Sequence, residues 1–178
     1  MLTITEGLAE IKTIGKRIEK KREFIGQYIA RQEGLKDPLL NEGGSRKVIE
    51  RERQGIRDLE ERIVTIRRSI QTANSTETIA LGGESRTIAD WLVWRREVSA
   101  GRQAFVNRLR TSIINIRTDA QKKGMAVVTK ESEARELSDI IVNVDESEMA
   151  AEAERIEEIL GALDGQLSLK NATIAIEV

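Results

Sequence analysis

Neither cysteine nor histidine occurs among the 178 residues of this chain. The first absence excludes disulfides, thiolate metal sites and thiol nucleophiles together. The second removes the commonest general base and metal ligand. Proline occurs once, at Pro38, so long stretches hold nothing that breaks a helix. Aromatic residues make up 3% of the chain, and a core must therefore rest almost wholly on Ile, Leu and Val. No apolar run approaches the roughly 18 residues of a membrane span. The N-terminal MLTITEGLAEIK lacks the basic and apolar regions of a secretory signal. The expectation is a soluble protein, not exported by the general route.

Missing motifs narrow the chemistry further. There is no P-loop, no G-x-G-x-x-G fingerprint and no D-x-D-x-D-G loop. The acidic tract Glu146, Glu148, Glu152, Glu154, Glu157 and Glu158 lies on one expected helix, with no loop to wrap an ion. No catalytic, cofactor-binding or metal-ligating residues are assigned, and the chain is expected not to be an enzyme.

Charge is abundant, at 33% of residues, and unevenly placed although the net value is −1. Residues 1–130 hold 26 Lys and Arg against 17 Asp and Glu, a balance of +9, whereas residues 131–178 hold 3 against 13, a balance of −10. The expectation is that the acidic segment packs on basic helices of its own or a neighbouring chain. A basic face for nucleic acid is the less favoured alternative: glutamates interleave the basic runs and aromatic stacking partners are lacking.

Periodicity supplies the architecture. Thr3 with Glu6 forms a capping-box pattern ahead of Leu8, Ile11, Ile14, Ile18, Ile25 and Tyr28, a narrow seam interrupted at Lys21. This predicts a helix over about 5–33 that stops at Gly34, then a loop with Pro38 and Gly43-Gly44. Over about 45–73, Ile49, Ile56, Ile63 and Ile70 recur every seven residues, with Leu59 and Ile66 between them and Glu52 as the charged intruder. Such a heptad seam, Ile49, Ile56, Leu59, Ile63, Ile66 and Ile70, suits coiled-coil packing within a chain or between chains.

Beyond residue 73 the period shortens. Residues 79–81, led into by 76–78, and 84–88 flank Gly82-Gly83, a two-residue turn that predicts a β-hairpin. Thr87 with Asp90 caps a third helix, carrying Trp91, Trp94, Val98, Phe105, Leu109, Ile113 and Ile116 to about residue 124. Short strands are expected at 125–129 and 140–144, with a loop or single helical turn at 130–139 between them. Asp145 and Glu148 cap a fourth helix, and 172–178 alternates as a terminal strand. That strand is expected to join the 125–129 or 140–144 strand, or another subunit.

The fold expected is thus mainly α: a long antiparallel helical hairpin or coiled-coil-like bundle over 1–73, a β-hairpin over 74–90, a third helix over 87–124 and a small mixed α+β end over 125–178, all in one domain. Trp and Arg dominate protein interfaces, so Trp91, Trp94 and Arg95, together with Ile174 and Ile176 of the terminal strand, are the candidate contact residues. One tryptophan is expected in the core and the other at an interface.

The segment ANSTETIALGGESRTIAD, with Asn74, Gly83, Arg86, Thr87 and Ile88, resembles the mark of the septicolysin-like family of small bacterial helical proteins. There a long helix ends near an Asn, and a short hairpin leads into a new helix. The resemblance covers about residues 45–170 and implies a helical bundle with a β-hairpin; it carries no catalytic residues. A membrane-active toxin is the reading that the family name implies, whereas this sequence has no pore-forming amphipathic segment. The expected function is that of a homo-oligomeric structural protein whose partners are copies of itself and other proteins of a larger assembly. Its most concrete form is a bacteriophage virion component such as a capsid decoration, neck or fibre-base protein. It would be cytoplasmic in the producing bacterium, or part of the virion if phage-encoded.

Overall fold

The computed structural model describes residues 1–130, 133–134 and 136–178. In order, its elements are β1 (Leu2–Thr3), α1 (Ile4–Gln27), α2 (Ser45–Thr76), β2 (Thr78–Leu81), β3 (Glu84–Thr87), α3 (Ile88–Val93), a π-helical segment (Trp94–Ser99), α4 (Ala100–Lys122), β4 (Val127–Val128), β5 (Ile140–Ile141), α5 (Glu146–Thr173) and β6 (Ala175–Ile176). The fold is mainly α. Contacts group the chain into two compact units, residues 1–77 with 167–178, and residues 78–166.

In the first unit α1 and α2 form an antiparallel hairpin. Thr3 caps α1 as its sequence implies: its hydroxyl accepts from the Glu6 amide, and the Glu6 carboxylate accepts from the Thr3 amide at 2.7 Å. Ile4, Ile14, Ile18, Ile66, Ile70 and Ile176 form the buried core, with Ile56, Leu59 and Ile63 packed against it. Five of the six heptad residues therefore belong to this core within the chain, Ile66 and Ile70 buried and Ile56, Leu59 and Ile63 packed against them, while Ile49 is half-buried outside it. Gly7 allows the close approach: a Cβ there would stand 3.0 Å from Ile176 Cδ1 and 3.2 Å from Ile66 Cγ2.

The two charged residues that interrupt the seams answer each other. Lys21 Nζ lies 2.6 Å from Glu52 Oε2, with side chains 31% and 20% exposed. Gly55 makes room for the lysine, since a Cβ there would meet Lys21 Nζ at 3.2 Å. Arg62 reaches Glu10 at 2.9 Å. These two pairs set a register in which Tyr28 falls level with Ser45, the first residue of α2. Residues beyond Tyr28 have no partner helix to pack on, so α1 ends at Gln27 and not near Gly34 as the periodicity predicts.

The connection is held by a carboxylate that periodicity does not single out. Gly44, the residue before α2, has no capping side chain and φ of +93°. Asp37 caps the helix from a distance, accepting from the Ser45 amide at 2.9 Å, the Ser45 hydroxyl at 2.6 Å and the Leu39 amide at 2.9 Å. These donors hold its carboxyl below the usual carboxylate range, the Ser45 hydroxyl contributing most.

The terminal strand is placed differently from its expected position. β6 pairs antiparallel with β1, Leu2 opposite Ile176 and Thr3 opposite Ala175. It does not join the strands near 127 or 140, because α5 continues to Thr173 and delivers the chain to α1, where the Ile4 amide donates to Ile174 O at 3.2 Å. Ser69 Oγ also donates to Glu177 O.

In the second unit β2 and β3 form the antiparallel hairpin, with Gly82 and Gly83 at φ of +57° and +82°. Positive φ at both positions is what a primed turn requires. β4 and β5 pair in parallel, Val127 opposite Ile140 and Val128 opposite Ile141. Val106 and Ile113 of α4 pack with Val142 and Met149 to form a core there. Asp145 caps α5, accepting from the Ser147 amide at 2.8 Å and the Glu148 amide at 3.3 Å. The expectation for 130–139 falls partly on residues 131, 132 and 135, outside the described ones.

Replacing Lys21 alone by Leu leaves Glu52 half-buried without its partner, and replacing Glu52 alone strands the lysine. Urea denaturation of the two single variants and the double variant should give a favourable coupling on the order of 1 kcal/mol. A coupling of zero would show that the pair does not set the register. A second expectation concerns acid. Because the folded Asp37 carboxyl titrates below its ordinary value, its contribution is present above that value and is lost as pH falls through the lowered one. Asp37→Asn should lower the urea midpoint at neutral pH and make the midpoint less sensitive to acid below about pH 4.

Candidate interaction surface

The hairpin of the second unit is built around tryptophan. Thr87 caps α3 by accepting from the Asp90 amide at 3.1 Å, which starts the helix directly after β3. One turn on, Trp91 is 2% exposed, and its Nε1–H donates to Ile79 O of β2 at 2.9 Å. Arg86 of β3 stacks over the same indole, 5.2 Å from the ring centroid, while Glu84 holds its guanidinium. Trp94 meets Trp91 edge to face, with centroids 5.5 Å apart. Each element of the hairpin thus contacts one indole: a carbonyl from β2 and a cation from β3.

The helix changes pitch to bring these residues onto one face. At about 100° per residue Trp91 and Ser99 would sit about 80° apart. The π-helical turn over Trp94–Ser99 takes up most of that difference, because π geometry advances less per residue. Ser99 then lies buried, its hydroxyl donating to Arg95 O at 2.7 Å, and heads the buried series Val106, Ile113 and Ala120 at seven-residue spacing.

Between the hairpin, this helix and α5 lies an open cleft of about 580 Å³. Trp94 and Val98 form one wall, and Ile156 and Ile159 of α5 the other. Arg155 ties the walls to the turn, donating to Gly82 O at 3.4 Å, and Arg95 pairs with Asp164 at 2.8 Å. Arg102 on the α4 wall, and Glu148 and Glu152 on the α5 wall, also line the cleft. None of these three has an ion-pair partner among the described residues.

The sequence-predicted contact residues are distributed unevenly. Trp91 and Trp94 are both buried within the chain, and Trp94 also lines the cleft. Arg95 is exposed but engaged with Asp164. Ile176 is part of the core of the first unit and Ile174 packs against it, so neither is an open contact surface. Val98, Phe105 and Ile116, expected on the third helix but not among the contact residues, stand exposed on the flank of α4, Phe105 at 59%. The signal was present: these residues and the buried series run side by side, giving α4 an apolar face wider than one neighbour covers.

Chemically the cleft offers apolar walls and charges of both signs. Among the described residues no group of three His, Cys, Asp or Glu could hold a metal ion, and no helix is long and apolar enough to cross a membrane. No protein-family model matches this chain, and no curated protein or solved structure matches it.

Trp91→Phe removes the indole donor and leaves the Ile79 carbonyl buried without it. Loss of about 1–3 kcal/mol in chemical denaturation is expected. A variant as stable as the parent would mean that the hairpin is not anchored through this bond.

Proposed function

We propose that this chain is a non-enzymatic structural protein that self-associates within a larger assembly, most concretely as a bacteriophage virion component of the capsid-decoration, neck or fibre-base kind. One observation carries the reading. The chain exposes 12643 Å² of accessible surface at 20.0 kDa. Two separate globules, each of half that mass, would together expose about 10,500 Å². The surplus, on the order of 2,000 Å², is the kind that long helices covered on one side leave, and it is comparable in size with a standard protein–protein interface.

The surplus is also apolar where it matters. Phe105 and Ile116 stand exposed on one face of the same helix, and Val98, one heptad before Phe105, lies on that face too. The residue inventory supports the same reading, since a chain without His or Cys has few ways to activate a nucleophile. Resemblance to the septicolysin-like pattern adds the hairpin-and-bundle architecture and lends no catalytic residue.

Equilibrium sedimentation at micromolar concentration is the direct test. An oligomer of defined size is expected, with binding to particles of the parent assembly when these are mixed with it. A clean monomer at the highest attainable concentration, with no binding to any particle, would remove the proposal.

A further inference from the structure

The exposed flank of α4 continues the wall of the tryptophan cleft: Val98 lines the cleft, and Phe105 and Ile116 extend the same stripe along the helix. Phe105 is 59% exposed beside this cleft, whose lining combines Trp94, Val98, Ile156 and Ile159 with charges of both signs. We infer that a second copy of this chain docks on this flank, the two α4 helices antiparallel about a two-fold axis, with Phe105 of each copy entering the cleft of the other. This rests on the self-association proposed above and names its contact.

The register follows from spacing. Val98 and Phe105 are one heptad apart, so an axis between them passes by Gly101 and Arg102 and sets each Phe105 opposite the partner's Val98. A two-fold contact of this kind is self-complementary and closes. Gly101 leaves the helix surface open at the axis, since a Cβ added there would meet nothing within 4 Å. The cleft volume of about 580 Å³ exceeds a phenylalanine side chain and leaves room for the neighbouring residues of the incoming helix.

Charge fits the same pairing. The α4 wall carries Arg102, and the facing α5 wall carries Glu148 and Glu152, all three without ion-pair partners among the described residues. A partner's α4 entering the cleft brings its own Arg102 toward those glutamates. Contact through a large aromatic flanked by an arginine matches the usual make-up of interface hot spots.

Because Phe105 is largely exposed, Phe105→Ser should leave the circular dichroism unchanged, and the melting unchanged at concentrations where the parent is monomeric, while raising the dissociation constant tenfold or more. The two tryptophans, the only ones in the chain, both sit at the cleft. Their emission should shift on dilution of the parent and stay constant on dilution of the variant. Arg102→Glu should weaken association, and Arg102→Glu with Glu152→Arg should restore it. If the parent associates but Phe105→Ser associates equally well with unchanged emission, this contact is wrong while self-association stands. If the charge swap gives no rescue, the paired walls are wrong. A parent that is monomeric throughout removes both readings.

Discussion

The scarcity of large apolar side chains is the constraint on which the rest of the fold depends. With almost no aromatics, α1 and α2 each carry one narrow aliphatic stripe, and a stripe is stable only when another covers it. α1 and α2 cover each other, Ile14 and Ile18 against Ile66 and Ile70, and the last strand adds Ile176 to the same core. Where each seam lapses into charge, the lapses coincide, and Lys21 meets Glu52. Apolar contact alone lets two helices slide by a heptad, whereas a half-buried ion pair between them allows one register. The end of α1, the position of the Asp37 cap and the point at which α2 begins all follow from that register.

The second unit meets the same shortage differently. It concentrates two of the chain's few aromatic residues in one place and arranges a hairpin around them. The indole of Trp91 takes a donor role toward β2 and a stacking role toward β3, so a two-stranded ribbon too small to be stable alone becomes part of a packed core. The π-turn is the adjustment that lets tryptophans and the seven-residue series share a face. Its consequence is a helix with more apolar surface than α5 and the short strands cover.

Much of this was legible in the sequence. Capping at Thr3, Thr87 and Asp145 and the two-glycine turn are local features, each depending on residues within a few positions of one another, and the two long helices follow from period, which left open whether they pair within a chain or between chains. The seam residues Ile56 through Ile70 were legible for the same reason. The partner of the last strand was not. Alternation in 172–178 shows that a strand forms, but any edge could receive it, and only the continuation of α5 to Thr173 brings it to Leu2 and Thr3. The π-turn was likewise hidden, because hydrophobic spacing at 91, 94, 98 and 105 reads as an ordinary helix.

By itself the sequence determined the element types, the caps and the aliphatic character of the core, since these depend on backbone propensity and on period. Tertiary structure alone decided which stripes are consumed and which remain. Trp91, Trp94 and Ile176 have the chemistry of contact residues and are spent inside the chain, whereas Phe105, one more apolar position in a helical series, is left in solvent. Composition and period give a side chain its capacity for burial; which neighbour covers it depends on contacts distant in sequence, and those exist only once the chain has folded.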